Sequence, residues 1–424
     1  MASFVRSFTT LTHRQSYRHP SHLQKTRKSL GDSLRQPFLL DLFSKQSVLL
    51  FSTSSASDAS GDCTHAKKRV VFLGTPEVAA TSLQTIYRAS QHPDSAFEIV
   101  GVVTQPAKRR KRKGQLEASP VGKLAEELDI PVLAPEKAKD VDFLDHLEHQ
   151  VRPDLCITAA YGQYLPKRFL AAPPYGTVNI HPSLLPRWRG ASPVQRSLEA
   201  GDNPVGVTVL FTVSQMDAGP IIAQTERMID EDETATTVLP KLFEIGTNLL
   251  LEHLPAVLSG KISMDTATTQ DGTKAVSAAM IHSSEGELKP WLESARTCHN
   301  RGRGFSMWPG TFMYFQIGGG ENDSSADGAR EPMKVKIVET RVVPDLVREP
   351  TNIVSLGPTK KSGLYVTCVD GSVLELLQVQ PATRKAFRAR DFQNGYPGET
   401  IRWVETPEDQ KDDPEKYNSR KRSS

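Results

Sequence analysis

Residues 69–104 read RVVFLGTPEVAATSLQTIYRASQHPDSAFEIVGVVT, and the alternation inside this stretch decides the fold. The run Arg69–Gly74 is apolar, β-branched and stopped by glycine, the pattern of a buried strand. Thr75–Ser90 carries Pro76, suited to a helix's first turn, and then apolar residues at helical spacing. Phe97–Thr104 is a strand again. Further along, SPVGKLAEELD predicts a helix, IPVLAP a strand, DVDFLDHLEHQ a helix, and DLCITAAYG a strand running into a Gly turn. GTVNIH, GVTVLFTV and GPIIAQTERMI add strands and ASPVQRSLEAG a helix. A long helix over 236–260 closes the domain despite Pro240 and Pro255. Such alternation predicts a βαβ series, hence an α/β domain over 67–260 with a parallel sheet covered on both faces.

Residues 261–282 are rich in Thr, Ser and Ala and read as a linker. Beyond them PMKVKIVETRVV, GLYVTCVDG and SVLELLQVQP are short strands between Gly, Pro and Asp turns. They predict a small, OB-like β-barrel over 283–404. The insert GGGENDSSADGAREP reads as a disordered hairpin tip, and 405–424 as a tail with little to bury.

At 424 residues, 38% of them hydrophobic, the chain has apolar material for two ordinary domains. No apolar run approaches the ~18 residues of a membrane span, so no membrane partner is expected. The four cysteines form no CxxC, which argues against a disulfide scaffold or a cysteine zinc site and fits a reducing compartment. The net charge of +3 is uneven: residues 1–66 hold eight Lys/Arg against four Asp, leaving −1 for the rest. Any nucleic-acid contact must therefore come from local patches. Up to Gly31 there is no acidic residue, while Arg6, Arg14, Arg18, Lys25, Arg27 and Lys28 lie among Ser, Thr and apolar residues. This predicts an organellar transit peptide ending in the Ser-rich linker FSTSSASDASGD; an untargeted tail is the alternative. The arginine content points to the mitochondrion, with chloroplast or dual targeting left open.

Ligands of open parallel sheets bind where strands end at their carboxyl edge. One such end is VNIHPSLLPRWRGASP, with Asn179 and His181 two apart and so on one face of their strand. Another is FTVSQMDAGPI, with Asp217 before Gly219 and Pro220. An amide, an imidazole and a carboxylate suit acyl transfer to an amine: Asn179 can donate to a developing oxyanion, His181 can move protons near neutral pH, and Asp217 can orient the imidazole. No nucleophile elbow of the GxSxG type is present, which favours direct attack by an amine over a covalent acyl-enzyme. Taken alone, an Asn-x-His is more often a structural strand end.

NIHPSLLPRWRGASP resembles the signature of the folate-dependent formyltransferases, and FLGTPEVAA resembles the opening of their methionyl-tRNA branch. VTQPAKRRKRKG, AAYGQYLP and MDAGP match the same family in order and approximate spacing, and WRGASP favours the tRNA branch over the purine-synthesis relatives. The resemblance implies a Rossmann-like domain using 10-formyltetrahydrofolate as formyl donor, and a C-terminal barrel that grips initiator methionyl-tRNA. It makes Asn179, His181 and Asp217 the catalytic group and Ser183, Leu184, Leu185 and Pro186 part of the folate site. Gly162, Gln163 and Leu165 would line the pterin pocket, with ordinary core as the alternative for Leu165. It also gives the six consecutive basic residues Lys108, Arg109, Arg110, Lys111, Arg112 and Lys113 a place against the tRNA acceptor stem; by composition alone they are a solvated loop. Arg301 and Arg303, in a segment that departs from the family pattern at Gly304 and Ser306, are candidates for tRNA phosphates. The histidines show no metal-ligand spacing, so no metal is expected. A monomer is expected. Two readings compete with this one: a relative that formylates a small amine or hydrolyses formyl-folate, and a catalytically dead RNA-binding relative.

Overall fold

The computed structural model describes residues 66–109, 114–318 and 330–407. The transit segment, Arg110–Lys113, most of the Gly-rich insert and the tail beyond residue 407 lie outside the described residues.

Five strands, β1 (Lys68–Gly74), β2 (Phe97–Val103), β3 (Val132–Leu133), β4 (Leu155–Ala159) and β5 (Thr177–His181), pair in parallel in the order β3-β2-β1-β4-β5. The βαβ reading of residues 69–104 holds, with the intervening helix at Glu77–Ser90. Side chains alternate across β1. Val70 and Phe72 enter a core shared with the Glu77–Ser90, Pro193–Ala200 and Ala235–Leu258 helices. Val71 and Leu73 enter a second core on the opposite face with Phe143, Leu147 and Phe169. Both faces are thus dry, which is why β1 shows no polar alternation.

The sheet is completed by an antiparallel hairpin, β6 (Val205–Phe211) and β7 (Ile221–Arg227), with β6 antiparallel to β5. The hairpin loop carries Asp217. The Ala235–Leu258 helix absorbs Pro240 and Pro255 near its two ends, where fewer intrahelical bonds are disrupted.

The C-terminal domain is a closed antiparallel barrel. Its strands β8 (Thr311–Ile317), β9 (Met333–Val347), β10 (Ile353–Leu356), β11 (Leu364–Thr367), β12 (Ser372–Pro381) and β13 (Ile401–Val404) follow the order β9-β8-β13-β10-β11-β12. Pairing of β9 with β12 shuts it and removes the free edges. Three of these strands were visible as apolar runs in the sequence. The three described cysteines, Cys156, Cys298 and Cys368, are buried free thiols. Among the described residues no helix is long and apolar enough to cross a membrane.

The Ala295–Gly304 helix leads into the barrel and lies against the Pro193–Ala200 helix of the first domain. Arg301 and Arg303, candidates for tRNA phosphates from the sequence, sit in this seam and bond to the protein's own oxygens. Arg301 donates to both oxygens of Glu293 at 2.6 and 2.7 Å and pairs with Glu199 across the seam. Arg303 is 6% exposed and donates to the carbonyls of Glu233 and Asp230 and to Asn300 Oδ1. Guanidiniums so enclosed are committed to the protein's own oxygens. Glu233, at the same seam, accepts two hydrogen bonds from Arg227 and one from Lys241, and these, Arg227 foremost, pull its carboxyl down to about 2. A depressed carboxylate stabilises the fold above its unfolded pKa and loses that contribution as pH falls. The wild-type Tm should therefore drop between about pH 4.5 and 2 more steeply than that of Glu233→Gln. Superimposable acid melting curves would refute this.

Candidate active site

Asn179 and His181 leave the same face of β5. Thr158, opposite Asn179 on β4, donates its hydroxyl to Asn179 Oδ1 at 2.8 Å. That bond holds the amide oxygen, so the amide nitrogen keeps its hydrogens for a ligand.

His181 is 5% exposed, and its Nε2 lies 2.9 Å from the Trp188 carbonyl oxygen. A carbonyl only accepts, so Nε2 carries a proton and the neutral ring has its lone pair on Nδ1. Nδ1 lies 3.7 Å from Asp217 Oδ1, within ion-pair range but too long for a direct hydrogen bond. The main-chain oxygen of Trp188, rather than Asp217, therefore orients the imidazole.

Trp188 is itself held tightly. Its backbone takes a left-handed φ of 67°, and its indole N–H donates to Asp202 Oδ2 at 2.6 Å. Asp202 also accepts both Arg187 donors and the Ser197 hydroxyl. Burial opposes the charge on Asp202, but the bonds from Arg187, Trp188 and Ser197 outweigh it and hold its carboxyl below the usual range. The sequence reading missed Trp188 and Asp202, because residue 188 acts through a main-chain oxygen that every residue possesses.

Asp217 reaches the site differently from the strand-end expectation. In the register Phe211, the last residue of β6, lies opposite Val178 at the start of β5, and His181 lies opposite Thr208. The loop 212–220 must therefore fold back along the sheet to bring Asp217 to His181. Asp217 adopts a left-handed φ of 47° in that loop, and its Oδ2 accepts the Gly190 N–H at 2.9 Å.

The residues that sequence resemblance linked to folate divide. Ser183 and Leu185 are buried: Ser183 donates to the Arg187 carbonyl, and the Leu185 N–H donates to Thr208 Oγ1. Both build the loop after β5, while Leu184 and Pro186 are half-buried. Gln163 ties the loop 135–138 to the end of β4 by accepting the Ala138 N–H at 2.8 Å. Leu165 is 7% exposed and packs in the same core cluster as Phe169. Gly162 has φ 82°, and a Cβ there would lie 2.7 Å from Gln105 Nε2. Gly162→Ala should cost about 1–3 kcal/mol in strain and displace Gln105, whose amide donates to the Tyr161 carbonyl. An unchanged melting temperature would contradict it.

Lys108 and Arg109 are exposed and form a short antiparallel ladder with Leu116–Glu117 just past the carboxyl end of β2. Lys108 Nζ donates to Gln105 Oε1 at 2.6 Å, which ties the base of the basic excursion to the Tyr161–Gly162 turn. Away from these residues, Asp145, Glu148 and His149 approach one another, but Arg168 bridges both acids at 2.6 Å.

Residues 68–254 match the Formyl transferase family and residues 280–397 the Formyl transferase, C-terminal domain family. A methionyl-tRNA formyltransferase of Myxococcus xanthus is 36% identical over 78% of this chain and 96% of its own length. One from Bacillus subtilis is 34% identical over 77% of this chain and 94% of its own. In structure, a sugar 3-N-formyltransferase solved with dTDP and 5-N-formyl-THF covers 76% of this chain and all of its own (100%), with a TM-score of 0.50 at 16% identity. An N-formyltransferase of Helicobacter canadensis, solved with folinic acid and dTDP-3-aminofucose, covers 74% of this chain and 99% of its own, also with a TM-score of 0.50 and 16% identity. Those two likenesses concern the fold; the sequence matches over both domains go further, and by them the chain belongs to the methionyl-tRNA formyltransferase family of formyl transferases.

Proposed function

We propose that this protein moves the formyl group of 10-formyltetrahydrofolate to the amino group of initiator methionyl-tRNA, and does so in an organelle, foremost the mitochondrion. The observation that carries the reading is Asn179 and His181 on one face of β5 with Asp217 Oδ1 3.7 Å from His181 Nδ1, and the basic residues Lys108 and Arg109 just past the carboxyl end of β2 support it. The donor supplies a formyl carbon bonded to nitrogen. The residues on this side that would hold it are the Gly162 turn, packed on the Gln105 amide, and Gln163, which holds the main chain of 135–138 beside it.

Within this reading the roles follow from the hydrogen bonds. Asn179, its oxygen committed to Thr158, donates its amide hydrogens to the carbonyl oxygen as charge builds there. His181 accepts the amine's proton at Nδ1, since Nε2 is already bonded to Trp188. Asp217, at 3.7 Å, stabilises the imidazolium that results. As the new bond to the methionyl nitrogen forms, the bond to the folate nitrogen breaks, and the proton passes on to that nitrogen.

Lys108–Lys113 supply six positive charges for acceptor-stem phosphates. Neutralising all six should weaken use of charged tRNA and flatten its salt dependence, by about 0.7–0.9 in log–log slope for each phosphate left without its cation. Folate binding should stay unchanged. The deciding experiment is formylation of methionyl-tRNA against free amino sugars and glycinamide ribonucleotide. Turnover of the small amines with none of the tRNA would overturn the reading. The organellar part is tested by fusing residues 1–66 to a fluorescent protein, and a diffuse cytosolic signal would refute it.

A further inference from the structure

The connection between the domains turns back over the catalytic loops before it enters the barrel. Thr268 pairs with Ile221 at the start of β7. Ser277–Ala278 forms a parallel ladder with Arg189–Gly190, and Ala278 O also accepts the Ser192 N–H. Gly190, whose N–H reaches Asp217 Oδ2, is pressed so closely on this segment that a Cβ would stand 2.5 Å from Ala278 O.

Between these two attachments lies Gln270, half-buried, with its hydrogen-bonding capacity filled. Its Nε2 donates to the Asp217 carbonyl at 2.9 Å and to the Gly219 carbonyl at 2.7 Å. Its Oε1 accepts Nε and a terminal nitrogen of Arg189 at 3.0 and 2.7 Å. One side chain from the connection therefore joins the Asp217 turn to the loop that follows His181. Asp217 itself holds a left-handed φ of 47°, a turn conformation that aspartate tolerates, and the Gln270 bonds to the carbonyls of Asp217 and Gly219 fix that turn. No other described side chain bonds to the Asp217 carbonyl.

We infer that Gln270 is a positioning residue for the formyl transfer, holding Asp217 at its distance from His181, and that the interdomain segment 268–279 is part of the catalytic scaffold. The inference rests on the catalytic role proposed above for Asp217. Gln270 touches no reacting atom in this account. Its contribution is the placement of the carboxylate, and a displacement of about 1 Å in such a group can cost on the order of 10²-fold in rate.

The test is a double-mutant cycle on the full chain, using Gln270→Ala, Asp217→Ala and the pair, with kcat and KM measured for formyl donor and charged tRNA. Gln270→Met, which keeps the length and apolar packing but makes none of the bonds, is the second variant should Gln270→Ala fail to fold. The expected result is a kcat lower by about tenfold or more in Gln270→Ala and Gln270→Met, with both KM values within about twofold of wild type. Adding Gln270→Ala to Asp217→Ala should cost nothing further, because the group being positioned is gone. Wild-type kcat in Gln270→Met overturns the inference, and so do effects that multiply in the double variant, since Gln270 would then act elsewhere. Near-normal kcat in Asp217→Ala overturns the catalytic reading itself, and that arm reports it separately.

Discussion

His181→Ala should lower kcat by about 10²–10⁴-fold while leaving formyl-donor binding within a few-fold of wild type. The size follows from the ring's two attachments. Nε2 is committed to the Trp188 carbonyl, so one nitrogen alone, Nδ1, faces Asp217 and can carry a proton to and fro. Removing the imidazole takes away this carrier and leaves Asp217 nothing to stabilise. It also removes the Nε2–H bond to the Trp188 oxygen, which keeps the Ser183 hydroxyl nearby, so the cost is about 0.5–1.5 kcal/mol and the variant melts slightly lower yet folds. Steady-state kinetics with methionyl-tRNA, donor-binding titration and a thermal melt together check the prediction. Activity within about threefold of wild type in a folded His181→Ala protein would remove His181 from the chemistry. Asn179→Ala should lose about 10²–10³-fold by deletion of an oxyanion donor, with no comparable loss of stability, because Asn179 is only half-buried.

Arg301→Ala carries the largest expected effect on stability. Its side chain is 14% exposed and faces Glu293 at 2.6 Å and Glu199 at 3.3 Å. Burial works against its charge, and these two carboxylates restore it, raising its pKa. Deleting one partner of a buried ionic group strands the others, at about 3–5 kcal/mol, whereas replacing the whole group by apolar residues need not destabilise. Arg301→Ala should therefore unfold at markedly lower denaturant, and the double variant with Glu293→Leu should recover part of the stability, Glu199 keeping its pair with Arg196. A tRNA-facing arginine would show the opposite pattern, a raised KM for tRNA at unchanged stability. The two outcomes separate in one urea titration and one kinetic series.

Much of the first domain was legible because its information is local. An apolar, β-branched run ending in glycine admits few readings, and β1, β2 and β4 appear where such runs stand. Asn179 and His181 were legible for the same reason, since a spacing of two on a strand fixes a shared face. What escaped depends on contacts between distant parts of the chain. The direction of β6, and with it the fold-back that delivers Asp217, follows from a hairpin register that spacing alone does not encode. Leu165 looks like any apolar residue beside a glycine turn, and only the sheet's second core shows which residues it packs with. Arg301 and Arg303 look like a basic cluster until their carboxylates and carbonyls, contributed from residues 199–293, close around them. Gln270 stands in a stretch whose Thr, Ser and Ala content reads as a spacer, and its partners lie more than fifty positions away.

The placement of residues 268–279 over the catalytic loops also bears on how the protein is made. Synthesis is vectorial, and domains fold as they emerge from the ribosome. A nascent chain that has emerged only as far as Gly260 already carries Asn179, His181, Asp217 and the helix that covers their sheet. It lacks Gln270 to hold the Asp217 turn and Ala278 to seat Gly190. The site is thus assembled late, when the polypeptide that leads to the barrel has been translated. Until that stretch is made, the Asp217 turn and Gly190 lack the contacts that hold them in the finished protein.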